Sequence, residues 1–173
     1  MATPLGRLFI LTDDRDRLRV VEFMDVIDGM HADRLQRTLA RQFGGVQHSI
    51  EEAATPSEAF GAIRAYFEGD LTAIDSLPVE PDGTPFQKRV WRALREIPCG
   101  QTISYAELAE RIGNPTAVRA VGLANGSNPV GIVVPCHRVI GKNGSLTGYG
   151  GGLTRKQQLL THEGVRLNGR LPF

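Results

Sequence analysis

The spacing of apolar residues predicts strands first and helices after them. Residues 6–12 and 17–23 are apolar-rich and are separated by Asp13, Asp14, Arg15 and Asp16, the pattern of a β-hairpin. Residues 31–43 carry Ala32, Leu35, Leu39 and Phe43 at helical spacing, and Gly44-Gly45 ends that helix. Residues 46–51 read as a short strand. A second helix starts near Thr55-Pro56-Ser57, sets Phe60, Ile63 and Phe67 on one side, and stops at Gly69. The stretch 70–84 is rich in Asp, Pro and Gly and reads as a linker. It divides the chain into residues 1–82, a small α/β unit, and residues 83–173, a mainly helical one.

The second unit opens on a helix that Thr84 caps and Pro85 begins, with Phe86, Val90, Leu94 and Ile97 as its apolar stripe. Lys88, Arg89, Arg92 and Arg95 occupy its other faces, most simply as solvated charges. Ser104 and Glu107 form a capping box, Leu108 and Ile112 face inward, and Gly113 closes that helix. Asn114-Pro115 turns the chain, and Thr116 caps a further helix that runs to about Asn125. Two short helices with a tight turn are either a helix-turn-helix or an ordinary helical hairpin.

The later helix is thin: Ala117, Ala120, Gly122 and Ala124 supply no bulk, and Arg119 is its only charge. A helix that reads base edges carries several long polar side chains. If this one touches DNA, it does so with close backbone approach and little sequence preference, and Arg119 is its single reaching group. Beyond it, Ile132, Val133 and Val134 make a buried, strand-like run that ends at Pro135. Cys136, His137 and Arg138 follow, then a glycine-rich loop, then a last helix from Thr154 to about Glu163 that carries Arg155 and Lys156 early.

Composition narrows the class. With 41% apolar and 23% charged residues among 173, the chain has the make-up of a folded globular protein. No apolar run approaches the roughly 20 residues that a membrane helix needs. The opening residues lack a basic stretch followed by a long apolar one, so the cytoplasm is the expected compartment. Two cysteines, Cys99 and Cys136, make no disulfide framework, and with the four histidines they show no metal-ligand spacing. Neither a metal nor a cofactor is expected, and His31 and His48 read as surface residues. The net charge of +1 conceals a balance of −7 over residues 1–82 and +8 over residues 83–173. Such a split fits a second half that meets a polyanion, or a neutral protein with uneven solvated faces.

Cysteine chemistry singles out Cys136. Only the thiolate is a nucleophile, and neighbouring cations favour it. His137 and Arg138 place a base and a positive charge beside Cys136 by construction. Adjacent residues on an extended chain point apart, so Cys136 and His137 meet only through a turn or a bridging water. A carboxylate is then needed to orient the imidazole. The second half holds only Glu96, Glu107, Glu110 and Glu163. Glu107 has a capping role and Glu96 and Glu110 sit at exposed helix positions, which leaves Glu163. Cys99, in Ile97-Pro98-Cys99-Gly100 with no basic neighbour, reads as an inert side chain.

These residues resemble a known family. IVVPCHRVIG, preceded by NGSNP and followed by TGYGGG and LLTHEG, is similar to the 6-O-alkylguanine-DNA alkyltransferases. ATPLGRLFIL and SEAFGAIRAYFEG resemble the N-terminal domain of the bacterial single-unit form. The resemblance implies an α+β protein: a small RNase H-like N-terminal domain and a C-terminal domain with a winged-helix-like helix-turn-helix. It implies a cytoplasmic monomer that binds double-stranded DNA without sequence preference, in the minor groove, and flips the damaged base out. Cooperative assembly on DNA stays open.

The activity implied is irreversible transfer of the alkyl group of 6-O-alkylguanine, and of 4-O-alkylthymine, to Cys136, one lesion per molecule. By the same resemblance His137 is a water-assisted base, Glu163 its partner, Tyr105 a donor to the leaving guanine and Asn128 a brace. Arg119 fills the gap in the stack, with Ser104, Thr116, Ala117, Ala120, Gly122 and Asn125 along the DNA. The Val139 carbonyl, Tyr149, Gly150 and Gly151 line the pocket. Gly126 stands where some relatives carry a phosphate-binding arginine. Two rival readings are a non-catalytic DNA-binding module and a turnover cysteine hydrolase built on Cys136, His137 and Glu163.

Overall fold

The computed structural model describes residues 1–25, 33–45 and 49–166. Strands β1 (Ala2–Thr3), β2 (Gly6–Thr12) and β3 (Leu18–Phe23) form an antiparallel sheet in that order. Asp13 closes the β2–β3 turn: its carboxylate accepts from the backbone N–H of Arg15 and Arg17 and from Arg17 Nε. Leu8, Leu18, Val20 and Val21 turn inward and are buried.

Helix α1 (Arg34–Phe43) crosses this sheet, and α2 (Glu58–Glu68) follows. Ser57 caps α2 and Gly69 ends it in the left-handed conformation that glycine tolerates (φ 112°). In α1 the expected apolar stripe is only half-buried, and its innermost residues are Thr38 and Gln42. Gln42 is satisfied there by the backbone of Asp82, with both bonds 2.7 Å long. The expected strand at 46–51 is absent at residues 49–51; the rest of it, with Ala32, His31 and His48, lies outside the described residues.

The stretch 70–84 is packed rather than a free linker. Ile74 and Leu77 are buried, and Leu18 bonds to the backbone of Pro78 and Glu80 on either side of Val79. Composition could not show this, because two buried apolar side chains are enough to pin a polar segment.

Helix α3 (Pro85–Arg95) starts at a capping box of Thr84 and Gln87. Strand β4 (Ile103–Ser104) leads into α4 (Tyr105–Arg111) through the capping box of Ser104 and Glu107, and Gly113 (φ 72°) turns the chain out of it. Helix α5 (Val118–Gly126) packs on α3 and α4, and Trp91 Nε1 donates to the Ala124 carbonyl. Its N-cap is Ala117, without a side-chain bond, so Thr116 does not cap it. A 3-10 turn at Cys136–Arg138, strand β5 (Val139–Ile140) and α6 (Leu153–His162) complete the fold, with β5 parallel to β4.

One continuous core joins both halves, from Leu8, Ile63 and Tyr66 to Leu94, Val121 and Leu159. The first sheet also reaches the segment that carries Cys136: Val21 donates to Pro129 O and Gly131 donates to Val21 O, each at 2.9 Å. No helix among the described residues is long and apolar enough to cross a membrane.

Candidate active site

Cys136 stands at the end of a compact turn, not of a strand. Ile132, Val133 and Val134 are buried as expected, but Val134 N bonds back to Val130 O and Ile132 takes φ 70°. A left-handed β-branched residue is strained, and it persists because its surroundings over-determine it. The main clamp is Asn128, wholly buried. Its Oδ1 accepts from Val130 N at 3.0 Å, and its Nδ2 donates to Val134 O at 2.8 Å and to Cys136 Sγ at 3.2 Å.

The 3-10 turn then fans Cys136, His137 and Arg138 around its axis, since three residues make one turn. His137 and Arg138 meet Glu163 at the C-terminal end of α6. Glu163 Oε1 accepts from His137 Nε2 at 2.9 Å, from Arg138 Nη2 at 2.8 Å and from Tyr66 Oη at 2.9 Å. Its Oε2 accepts from Arg138 Nε at 2.8 Å. Burial alone would raise the Glu163 carboxyl, but the hydrogen bonds from His137 and Arg138 outweigh it and hold the group well below the usual carboxylate range.

Those states assign the histidine tautomer. An ionised carboxylate only accepts, so Nε2 carries the proton. Burial pushes the His137 pKa down, with Glu163 opposing, so the ring is neutral and Nδ1 keeps its lone pair. That Nδ1 is buried and has no hydrogen-bond partner among the described residues. Cys136 itself is 5% exposed, and burial pushes its thiol up although Asn128 and Arg34 pull the other way. The resting group is a thiol that needs a base. Arg138, expected to activate the sulfur, is instead spent on Glu163.

A void of about 10 Å³ lies beside Cys136, walled by Glu22, Arg34, Asn128 and Tyr149. A larger cavity of about 500 Å³ opens on the far side of Arg34 and Tyr149, between Tyr105, Val118, Gly122 and the 147–150 loop. Tyr105 Oη donates to the Thr147 carbonyl at 3.1 Å. A Cβ on Gly150 would sit 2.1 Å from Arg34 Cζ, so the glycine run is what lets the loop close against that guanidinium.

Comparison with known proteins gives these features a family. Residues 85–165 match 6-O-methylguanine DNA methyltransferase, DNA binding domain, and residues 1–81 match its ribonuclease-like domain. The chain belongs to the 6-O-methylguanine DNA methyltransferase family. A methylated-DNA–protein-cysteine methyltransferase of Shigella flexneri is 48% identical over 96% of this chain and 95% of its own length. One of Mycobacterium bovis is 57% identical over 69% of this chain and 72% of its own. The crystal structure of Mycobacterium tuberculosis O6-methylguanine methyltransferase superposes with a TM-score of 0.74 at 40% identity, covering 94% of this chain and 89% of that one. An M. tuberculosis OGT in complex with DNA superposes at 0.63 and 36% identity, with the same coverage of 94% and 89%. The mixed α/β architecture, with a small N-terminal sheet unit and a helical C-terminal unit, is that of this methyltransferase family.

The fold places the expected DNA-facing residues unevenly. Arg119, Ala120 and Thr116 are exposed on or just before α5, and Ala117 and Gly122 are half-exposed. Asn125 is not on that face: it is 2% exposed, and its Nδ2 lies 3.4 Å from the Cys136 carbonyl, so it braces the site from behind. Ser104 is likewise buried and its hydroxyl is used by the α4 cap. Helical periodicity turned Asn125 inward with Val121, which the thinness of the helix concealed.

Three side chains escaped sequence reasoning. Tyr66 reaches Glu163 from the N-terminal half. Arg34 is paired with buried Glu22 at 2.7 Å and donates to the carbonyls of Gly126 and Asn128, tying α1 to the Cys136 turn. Lys156 is fully buried and donates to Val139 O at 2.6 Å and Thr147 O at 2.7 Å, which already uses the carbonyl expected to face guanine. Burial pulls its pKa down to about 8. Its place in the stripe Leu153, Lys156, Leu160 was a legible signal of burial.

Proposed function

We propose that Cys136 is the acceptor of the alkyl group and that the protein acts once per molecule on 6-O-alkylguanine in duplex DNA. The observation that carries this is the neutral His137, whose Nε2 is held by an ionised Glu163 while its buried Nδ1 is left as a base next in sequence to a buried thiol. A base with the right lone pair beside a protonated nucleophile is the arrangement that generates a thiolate on demand.

The thiol proton passes through a water to His137 Nδ1. The Cys136 sulfur forms a bond to the alkyl carbon, and the carbon–oxygen bond to guanine breaks with its electron pair kept by the oxygen. Tyr105 Oη donates a hydrogen bond to the leaving base as charge develops on it, the base takes its proton from water, and the imidazolium lies against the Glu163 carboxylate. A thioether on Cys136 is stable, so the molecule is spent. The same displacement applies to 4-O-alkylthymine.

The flipped base would occupy the 500 Å³ cavity at Tyr105, with Tyr149, Gly150 and Gly151 and the backbone of the loop over it. Arg34 and Tyr149 stand between that space and Cys136, so base entry requires the loop to shift. Arg119 would enter the stack from the start of α5, and the small residues Ala117, Ala120 and Gly122 would permit close approach to the minor groove. Residues 1–82 serve as the unit that braces residues 83–173. The need for a reduced thiol assigns the protein to a reducing compartment, the cytoplasm.

The test is incubation with a duplex carrying one 6-O-methylguanine, followed by intact mass and peptide mapping. One methyl on the peptide containing Cys136, with a plateau at one equivalent, is expected. An unmodified chain, or an adduct elsewhere, overturns the assignment.

A further inference from the structure

A second cleft, of about 650 Å³, runs beside the outer face of α5. One wall is α5 at Ala120, Leu123 and Gly126. The other is α1, which turns Arg37 and Arg41 into it from the N-terminal half, both exposed. Among the described residues no carboxylate lines the cleft, and Thr84 and Gln87 bring the positive, N-terminal end of α3 to the same space. Residues 1–82 carry a balance of −7, yet α1 holds three arginines and no acid. This concentrates positive charge where the acidic half borders α5.

We propose that Arg37 and Arg41 bind phosphates of the same duplex that α5 engages, so that the N-terminal unit is part of the DNA-binding surface. This rests on the reading of α5 as the DNA-facing helix. Gly126, at the end of α5, has no side chain, and the space a Cβ would point into is open for 4 Å. Across the cleft from that open space, α1 presents Arg37 and Arg41. Arg34 is not the contact: its guanidinium is committed to Glu22 and to the carbonyls of Gly126 and Asn128, and it fixes the distance of α1 from α5. Arg37 has an exposed ion pair with Asp33 at 2.9 Å, a type that is weak in water and readily exchanged for phosphate. Arg41 is the freer of the two, one helical turn further on.

Phosphate contacts release counterions, and each lowers the slope of log affinity against log salt by about 0.9. Duplex binding is therefore measured by anisotropy across a salt series for the unaltered protein, Arg37→Ala/Arg41→Ala and Arg37→Lys/Arg41→Lys, with unfolding midpoints recorded alongside. The alanine pair is expected to bind about tenfold more weakly at low salt and to lose about two from the slope, while the lysine pair keeps both. An alanine pair with unchanged affinity and slope overturns the proposal and leaves the α5 reading standing. A lysine pair that falls as far as the alanine pair also overturns it, since charge is then not the cause. An unaltered protein without duplex affinity overturns both readings together.

Discussion

Arg138 and Glu163 form a bidentate ion pair inside the protein, Nε on Oε2 and Nη2 on Oε1, each at 2.8 Å. Arg138 Nη1 also donates to the Ile97 carbonyl at 2.6 Å, so the guanidinium bridges the end of α3 to the end of α6. The pair keeps Glu163 ionised, and the ionised Glu163 keeps His137 in the tautomer with a free Nδ1. The arginine beside the cysteine thus acts on His137, through Glu163, rather than on the sulfur.

Replacement of Glu163 by Gln should break this chain. Arg138 would be left as an uncompensated buried charge, a loss of about 3–5 kcal/mol in unfolding experiments. Alkyl transfer should slow by about 100-fold or more as the base loses its partner. The pH dependence follows from the sign of the shift. Glu163 has a depressed folded pKa, so its contribution is complete above about pH 4.3, the unfolded value, and is lost as pH falls through the folded one. His137, also depressed, begins to cost stability below about pH 6.5, because the unfolded chain protonates first. Thermal midpoints from pH 7 to pH 3 should fall in the unaltered protein, and the Gln variant should start lower and show a shallower drop below pH 5.

Cys136→Ser should abolish transfer while leaving duplex binding within about twofold, because the sulfur is buried behind the binding face and a hydroxyl keeps the contact with Asn128. Persistent transfer to this variant, measured by label incorporation, would remove Cys136 from the mechanism.

Lys156→Met should release the 147–148 loop from β5 while filling the same space. Transfer is expected to slow by about 10- to 100-fold through misplacement of the pocket wall, with faster proteolysis between residues 141 and 150. The lysine carries a lowered pKa of about 8, so between there and about 10.4 the unfolded chain holds more protons and this group adds stability as pH rises. The stability difference between the unaltered protein and the Met variant should therefore shift in favour of the unaltered protein across that window. A difference that is flat with pH would contradict the buried, charged assignment.

Arg119→Ala should slow repair in duplex DNA by about tenfold, since extruding a base costs a few kcal/mol and the filler of the gap is gone. Reaction with the free 6-O-alkylguanine base should be unaffected. Arg119 is exposed on α5, so the variant should keep its unfolding midpoint, and equal slowing on both substrates would reject the role.

Local chemistry made much of this legible without coordinates. The cap at Thr84, the capping box at Ser104, the stop at Gly69 and the hairpin at Asp13 depend on residues within a few positions of each other, and each stands where the pattern placed it. Scarcity singled out Glu163, because few carboxylates exist in the second half. Two of the readings that failed, a strand at 132–134 and a linker without packing at 70–84, used composition where tertiary bonds to Val130, Leu18 and the core decided the conformation.

The sequence by itself determined that Cys136, His137 and Arg138 stand in succession and that Glu163 is one of few carboxylates able to join them, because these are matters of residue type and spacing. Only the tertiary structure decided the protonation states and the walls: which cation reaches Glu163, that Tyr66 and Arg34 come from the other half, that Asn125 faces inward and that Lys156 is buried. Such facts depend on desolvation and on contacts between residues about a hundred positions apart, and neither quantity is carried by a local pattern.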